Sequence, residues 1–251
     1  MGLGKDEWKP FLNLKNHIKN RNERPYSPIP EKPKSPEILK LPEVRISAAS
    51  FCRIKDAEGK LALLVNHSRA KKGITVLSPI GGGLEATQEG IDMIKDLLDV
   101  DESTFEKGND LRFRMPGSNI NKFREWFLSK QQRESTPHRE IDEELIDETG
   151  LLDSEDLKDI QCGEVSYATE LADFNPQGIK DLKSLRILEV FDVKFKPETL
   201  QKLAKASQEP NSKIHFVTEE EIRNGKTNDG IEIAKVSESL LDSQAELPEF
   251  K

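Results

Sequence analysis

Only two cysteines, Cys52 and Cys162, occur in the 251 residues. That is too few for a disulfide framework and too widely spaced for a zinc knuckle, so both read as reduced, mostly buried thiols. No apolar run approaches the roughly 18 residues that a membrane span needs. The first residues also lack the apolar stretch of a secretory signal, so the cytoplasm is the expected compartment. A basic excess is missing too: 38 Lys and Arg stand against 46 Asp and Glu, a formal charge of -8. This argues against a general affinity for nucleic acid, although a local basic stripe stays open. No internal repeat is visible. What is present, 35% hydrophobic and 33% charged residues, describes a well-solvated chain with one main core plus extensions rather than a string of domains.

Residues 1–43 read as a Pro-rich extension, because Pro25, Pro28, Pro30, Pro33, Pro36 and Pro42 punctuate a Lys-rich stretch that sustains neither a helix nor a central strand. Ahead of most of them, Trp8, Phe11, Leu12 and Ile18 approximate a helical stripe, which either docks on its own domain or meets a partner or a membrane surface. The folded part is expected over residues 44–251. VRISAASFCRI leads through Asp56-Ala57-Glu58-Gly59 into KLALLVNHS, a β-hairpin signal. A short strand then runs into Gly81, Gly82 and Gly83, and residues from about 90 to 135 read as an inserted helix, strand and helix. Two further strands follow, IQCGEVSYATEL and SLRILEVFDVKF, the second apolar enough to be buried on both faces. KIHFVTEEEIRNG predicts a strand and a helix capped by Thr218 with Glu221, and a last helix is expected from about Asp229 to Leu241. The fold class is α/β.

The strongest local signal is TPHREIDEELIDETGLL, beginning at Thr136. Thr136 can cap a helix whose first position is Pro137, and Gly150 is the expected left-handed stop. At about 100° per residue, Glu140, Glu143, Glu144, Asp147 and Glu148 fall within an arc of roughly 140°, opposite Ile141, Leu145 and Ile146. Like charges at one-turn spacing repel unless a cation sits between them. Oxygen-only ligands suit Mg2+ or Mn2+, which keep waters and bridge to phosphate oxygens. The competing reading is an acidic face that merely keeps the helix solvated.

Upstream, Gly83 precedes Glu89 by five intervening residues, directly after a strand and a Gly-rich turn. Here the chain resembles the Nudix hydrolase family, whose signature is a glycine, five residues, a glutamate, seven residues, then Arg-Glu-apolar-any-Glu-Glu-any-Gly-apolar. Gly83 and Glu89 match the first half. Aligned on Gly150, residues Glu144 to Leu151 match the second, with residues 90 through 142 standing where the family has seven. Glu143 then takes the place of the arginine and Asp147 that of a glutamate, leaving Arg139, one turn earlier, as the substitute cation. The divided signature, with REIDEEL ahead of ETG, is similar to the SMODS-associated Nudix domains, which accompany bacterial nucleotide-signalling antiviral systems.

The resemblance covers about Val44 to Leu241 and implies a Nudix-type α/β/α sandwich with a mixed sheet, carrying a helical insertion. It implies metal-dependent hydrolysis of a nucleoside diphosphate linked to another moiety, with Mg2+ or Mn2+ held by Glu144, Glu148, Asp147 and Glu89. Glu144, Asp147 and Glu148 would carry the catalysis, and the backbone at Gly82 and Gly83 would approach the nucleotide. The substitutions and the insertion keep a second reading open, a Nudix fold that senses or binds a nucleotide without turning it over. A third is an adaptor using its N-terminal extension to hold a protein partner; a homodimer also stays open. His67 and His138 as acid-base groups, Tyr167, Phe174 and Trp126 as stacking surfaces, and Arg112 and Arg114 as phosphate contacts each have a commoner structural reading, as surface, core and solvent-side residues respectively.

Overall fold

The computed structural model describes residues 38–173 and 178–250. Residues 1–37, with the Pro-rich segment and its amphipathic stripe, and Phe174 lie outside the described residues. The strands in chain order are β1 (Val44–Arg53), β2 (Leu61–Val65), β3 (Val76–Ser78), β4 (Ile80–Gly83), β5 (Arg112–Met115), β6 (Gln161–Ala172), β7 (Lys183–Lys194), β8 (Ile214–Val217) and β9 (Glu232–Ile233). They form two sheets, one mixed with the order β4-β1-β7-β6, the other with the order β8-β2-β3-β9.

β1 organises the mixed sheet. One edge pairs in parallel with β7 along its whole length, while the other is shared: Val44 to Ser47 face β5 and Ala49 to Cys52 face β4. This occupancy overturns the simple hairpin read from residues 44–65. Asp56 N donates to Lys60 O at 3.0 Å and Ala62 N to Ile54 O at 3.0 Å, closing the turn. Beyond that tip the strands part, because both edges of β1 are taken, and β2 pairs with β3 and β8 instead. Pro79, which has no amide donor for a ladder, marks the step from β3 in one sheet to β4 in the other. β7 lies between β1 and β6 and is buried along most of its length, as its unbroken apolar run requires.

The helices are α1 (His67–Ala70), α2 (Gln88–Leu98), α3 (Ile120–Ser129), α4 (His138–Ile141), α5 (Pro197–Ala206), α6 (Glu219–Asn224) and α7 (Ser239–Asp242). α2 starts at Thr87, whose hydroxyl accepts from Gly90 N at 3.1 Å, and buries Ile91, Ile94 and Leu98 at helical spacing. α3 buries Ile120, Phe123, Trp126 and Phe127. With Phe113 and Met115 of β5 and Val44, Ile46 and Ala48 of β1, these side chains make one core, which also takes in Tyr167. The excursion closes where it opens: Thr87 N donates to Gln132 O at 2.8 Å and Glu134 N to Glu85 O at 2.9 Å.

α6 has the expected capping box between Thr218 and Glu221. The long final helix does not form. Gly230 adopts φ +92°, Ile233 is buried, and Ala234 N donates to Leu77 O at 2.7 Å. Residues 232–233 therefore extend the second sheet beside β3, and only the single turn α7 follows a short 3-10 segment. Among the described residues no helix is long and apolar enough to cross a membrane.

Candidate functional site

α4 differs from the capped helix read from the sequence. Pro137, not Thr136, occupies its N-cap, and Thr136 Oγ1 lies 2.9 Å from His138 Nδ1 instead of reaching the helix amides. After one α-helical turn the chain widens into i→i+5 turns from Asp142 to Glu148, a geometry that recurs at functional sites. Thr149 Oγ1 donates to Glu144 O at 2.6 Å and Leu145 O at 3.2 Å, satisfying carbonyls near the helix end. Gly150 closes the helix at φ +65°. Ile141 and Leu145 are fully buried against Cys52, Ile54, Ile80 and Phe191, and this packing sets the helix against β4.

The widening separates acids that a regular helix would gather on one face. Glu144 accepts a hydrogen bond from Gly81 N at 2.8 Å. Glu140 is buried over Gly82, where a Cβ would come within 2.5 Å of its Oε2. Only glycine admits that approach. Arg139 joins the pieces: it donates to Gly83 O at 2.8 Å, Glu140 Oε1 at 2.7 Å and Glu143 Oε2 at 3.0 Å, and with Nε to Glu134 Oε1 at 2.5 Å. Burial pushes the Glu144 carboxyl up to about 8; the Gly81 amide opposes this, while Glu140, Glu148 and Glu143 add to it. Burial likewise pushes Glu140 up to about 7, against the pull of Arg139 and with the repulsion of Glu143 and Glu134.

Two carboxyls one turn apart, Glu140 paired with Arg139 and Glu144 held by the Gly81 amide, form a donor set that fits a hard divalent cation. Mg2+ is commonly held by one or two carboxylates, with waters and phosphate oxygens filling the rest. Among the described residues no three Asp, Glu, His or Cys side chains converge as a fuller cage. Of the residues singled out from the sequence, Glu144 lies at this place beside Gly82 and Gly83. Asp147 and Glu148 are exposed on the later turns, although Glu148 is near enough to raise the Glu144 carboxyl. Glu89 is exposed in the first turn of α2, at the opening of the insertion. His67 and His138 are exposed, and Trp126 and Tyr167 are core. Arg112 lies beside Gly83, whose Cβ would come within 2.5 Å of its Nη2, and pairs with Asp110 at 3.0 Å; Arg114 pairs with Glu43 at 3.2 Å.

Glu140 stood in the acidic face read from the sequence but outside the ligand set drawn from the signature, and Glu134 was not singled out. The signal for the first was the unbroken run Arg139-Glu140-Ile141-Asp142-Glu143-Glu144, which spells the first six positions of the signature's second half. Gly150 then comes four residues later than the signature has it, so the helix runs about one turn further. Glu134 depends on the closed excursion. With residues 88–131 removed, it follows Gly83 after six intervening residues, where the signature has five.

The sequence model of the SMODS-associated NUDIX domain matches residues 43–241. No curated protein and no solved structure matches the chain.

Proposed function

Because the chain belongs to the SMODS-associated NUDIX domain family, we propose that it hydrolyses the phosphoric anhydride bond of a nucleoside diphosphate linked to another moiety, with Mg2+ or Mn2+ held by Glu140 and Glu144. The observation that carries this reading is a pair of carboxyls, Glu140 buried and Glu144 half-buried, pushed to about 7 and about 8 beside the glycine strand β4. A bound divalent cation would neutralise charge on the diphosphate oxygens. The chain's own groups do the rest. Gly82 lets Glu140 lie against the backbone, Gly81 N–H fixes Glu144, and Arg139 orients Glu140 and Glu143 together. Glu143, half exposed at 50% beside Arg139, would take a proton from the attacking water. Service in a bacterial nucleotide-signalling defence system belongs to the same proposal.

A nucleotide sensor without turnover is the second reading, favoured by the finding that no three Asp, Glu, His or Cys side chains come together as a metal cage among the described residues. The test is a panel of nucleoside triphosphates, ADP-ribose, NAD and dinucleoside polyphosphates with Mg2+, Mn2+ or chelator, products being resolved by chromatography. Metal-dependent cleavage at a pyrophosphate, lost in Glu144→Gln, is the expected result. A saturable rise in melting temperature with one nucleotide and no product would replace the enzyme by the sensor.

A further inference from the structure

We infer that Arg133 and Glu189, an ion pair at the end of the insertion, are positioning residues that set the register of the metal-binding helix. The functional consequence rests on the hydrolase reading; the geometry does not. Both side chains are 0% exposed. Glu189 stands on the inner strand β7, paired on both sides, in one cross-strand row with Ser50, Gly82 and Tyr167.

All five guanidinium donors of Arg133 are used. Nη1 and Nη2 reach the Glu189 carboxylate at 3.1 and 2.9 Å. Nε and Nη2 reach Phe127 O at 2.8 and 2.5 Å, and Nη1 reaches Glu134 O at 2.6 Å. The group also lies 3.9 Å from the centre of the Phe127 ring. One planar fork thus fixes three things: the last turn of α3, the middle of the sheet, and the direction in which residue 134 leaves. Buried ion pairs are often replaceable by apolar residues with little effect on stability, so stability alone does not account for this one. Geometry does.

From Arg133 the linkage runs without a break to Glu140, one of the two proposed metal ligands. Glu134 is the next residue, and its carboxylate accepts from Glu85 N at 2.8 Å and from Arg139 Nε at 2.5 Å. Arg139 in turn holds Gly83 O, Glu140 and Glu143. No arginine other than Arg133 joins Glu189 to this array among the described residues. The insertion therefore ends in a key that seats the first turn of the helix.

The test compares Arg133→Met/Glu189→Met, which removes both charges, and Glu189→Gln, which keeps the side chain's shape, with the full-length wild type. Three quantities are read besides the melting temperature: Mn2+ affinity, kcat against KM, and the NMR resonance of Arg139 Nε–H in its bond to Glu134. The double variant is expected to melt cooperatively but at a lower temperature, because Arg133→Met also removes the donors to the Phe127 and Glu134 carbonyls. Its Mn2+ affinity and kcat should fall by about 10–100-fold, as for other residues that orient metal ligands, with KM within about 2-fold and the Arg139 resonance shifted. Glu189→Gln should move the same three readouts in the same direction. Unchanged Mn2+ affinity, kcat and Arg139 resonance in both variants would overturn the inference. A wild type that binds no Mn2+ would defeat the hydrolase reading instead, while the Arg139 resonance still decides whether the pair sets the alignment.

Discussion

The helix that begins at His138 carries acids of one chemical type in two halves with different surroundings. In the first, Glu140 is buried over Gly82 and Arg139 bonds to three carboxylates and a backbone carbonyl. In the second, Asp147 and Glu148 face solvent, and the nearby cation, Lys213, reaches the Glu148 and Thr149 carbonyls rather than the acids. Charge periodicity is the same in both. What differs is whether a glycine edge and an arginine are brought against it, and only the first half is prepared for chemistry on that criterion.

The comparison breaks most readily at Glu140 and Glu144. Replacing either by Gln should lower kcat by more than the roughly 10–100-fold typical of residues that merely orient ligands, with Mn2+ binding weakened in parallel. Without metal Glu144→Gln should cost the fold little, because near neutrality the Glu144 carboxyl already favours its protonated form and the amide is a close mimic of it. Glu140 is about half ionised there, so Glu140→Gln gives up part of its pairing with Arg139. Glu140→Gln with full turnover, beside a dead Glu148→Gln, would restore the alignment on Gly150.

A smaller effect follows from the raised carboxyls. In the unfolded chain both ionise near the ordinary glutamate value of about 4.3, whereas in the folded chain they hold protons until about 7 and about 8. Between those limits the folded state binds more protons. Stability without metal should therefore be full below the unfolded value and fall as pH rises through the folded ones. Mn2+ competes with those protons, so its stabilisation should grow over the same window. Melting curves from pH 5 to 8.5, with Mn2+ or chelator, measure both trends, and Glu144→Gln should flatten the steeper part. A metal-free melting temperature that rises steadily across this window would contradict the burial of these groups.

Local chemistry was legible where it is decided locally. The capping box at Thr218, the buried run of β7 and the glycine strand were all visible from neighbouring residues. The hairpin and the last helix were misread because their outcomes depend on distant edges: β1 is already occupied on both sides, and β3 recruits Ile233. The site shows the same division. An acidic helix beside a Gly-rich turn could be read in order along the chain, but its register could not be taken from Gly150. The i→i+5 turns run from Asp142 to Glu148, through Glu144 itself, and the extra length separates Gly150 from Glu140 and Glu144. Glu134 was hidden for a stronger reason, since its place is set by the Arg133 contact to Glu189, 56 residues away.

The smallest expected effect is also the sharpest on the two halves. Glu148 is exposed, so Glu148→Gln and Asp147→Asn should change stability by no more than about 0.5 kcal/mol. If neither residue holds metal, saturating turnover should stay within about 2-fold of wild type, consistent with loss of an exposed charge alone. Glu148 nonetheless contributes to the raised Glu144 carboxyl. Removing its charge should let Glu144 ionise more easily, and the acid limb of the rate profile at sub-saturating Mn2+ should move to lower pH. Loss of a true ligand would do the opposite, weakening Mn2+ binding at every pH. A rate profile for Glu148→Gln therefore separates a charge that only repels its neighbour from one that belongs to the metal site.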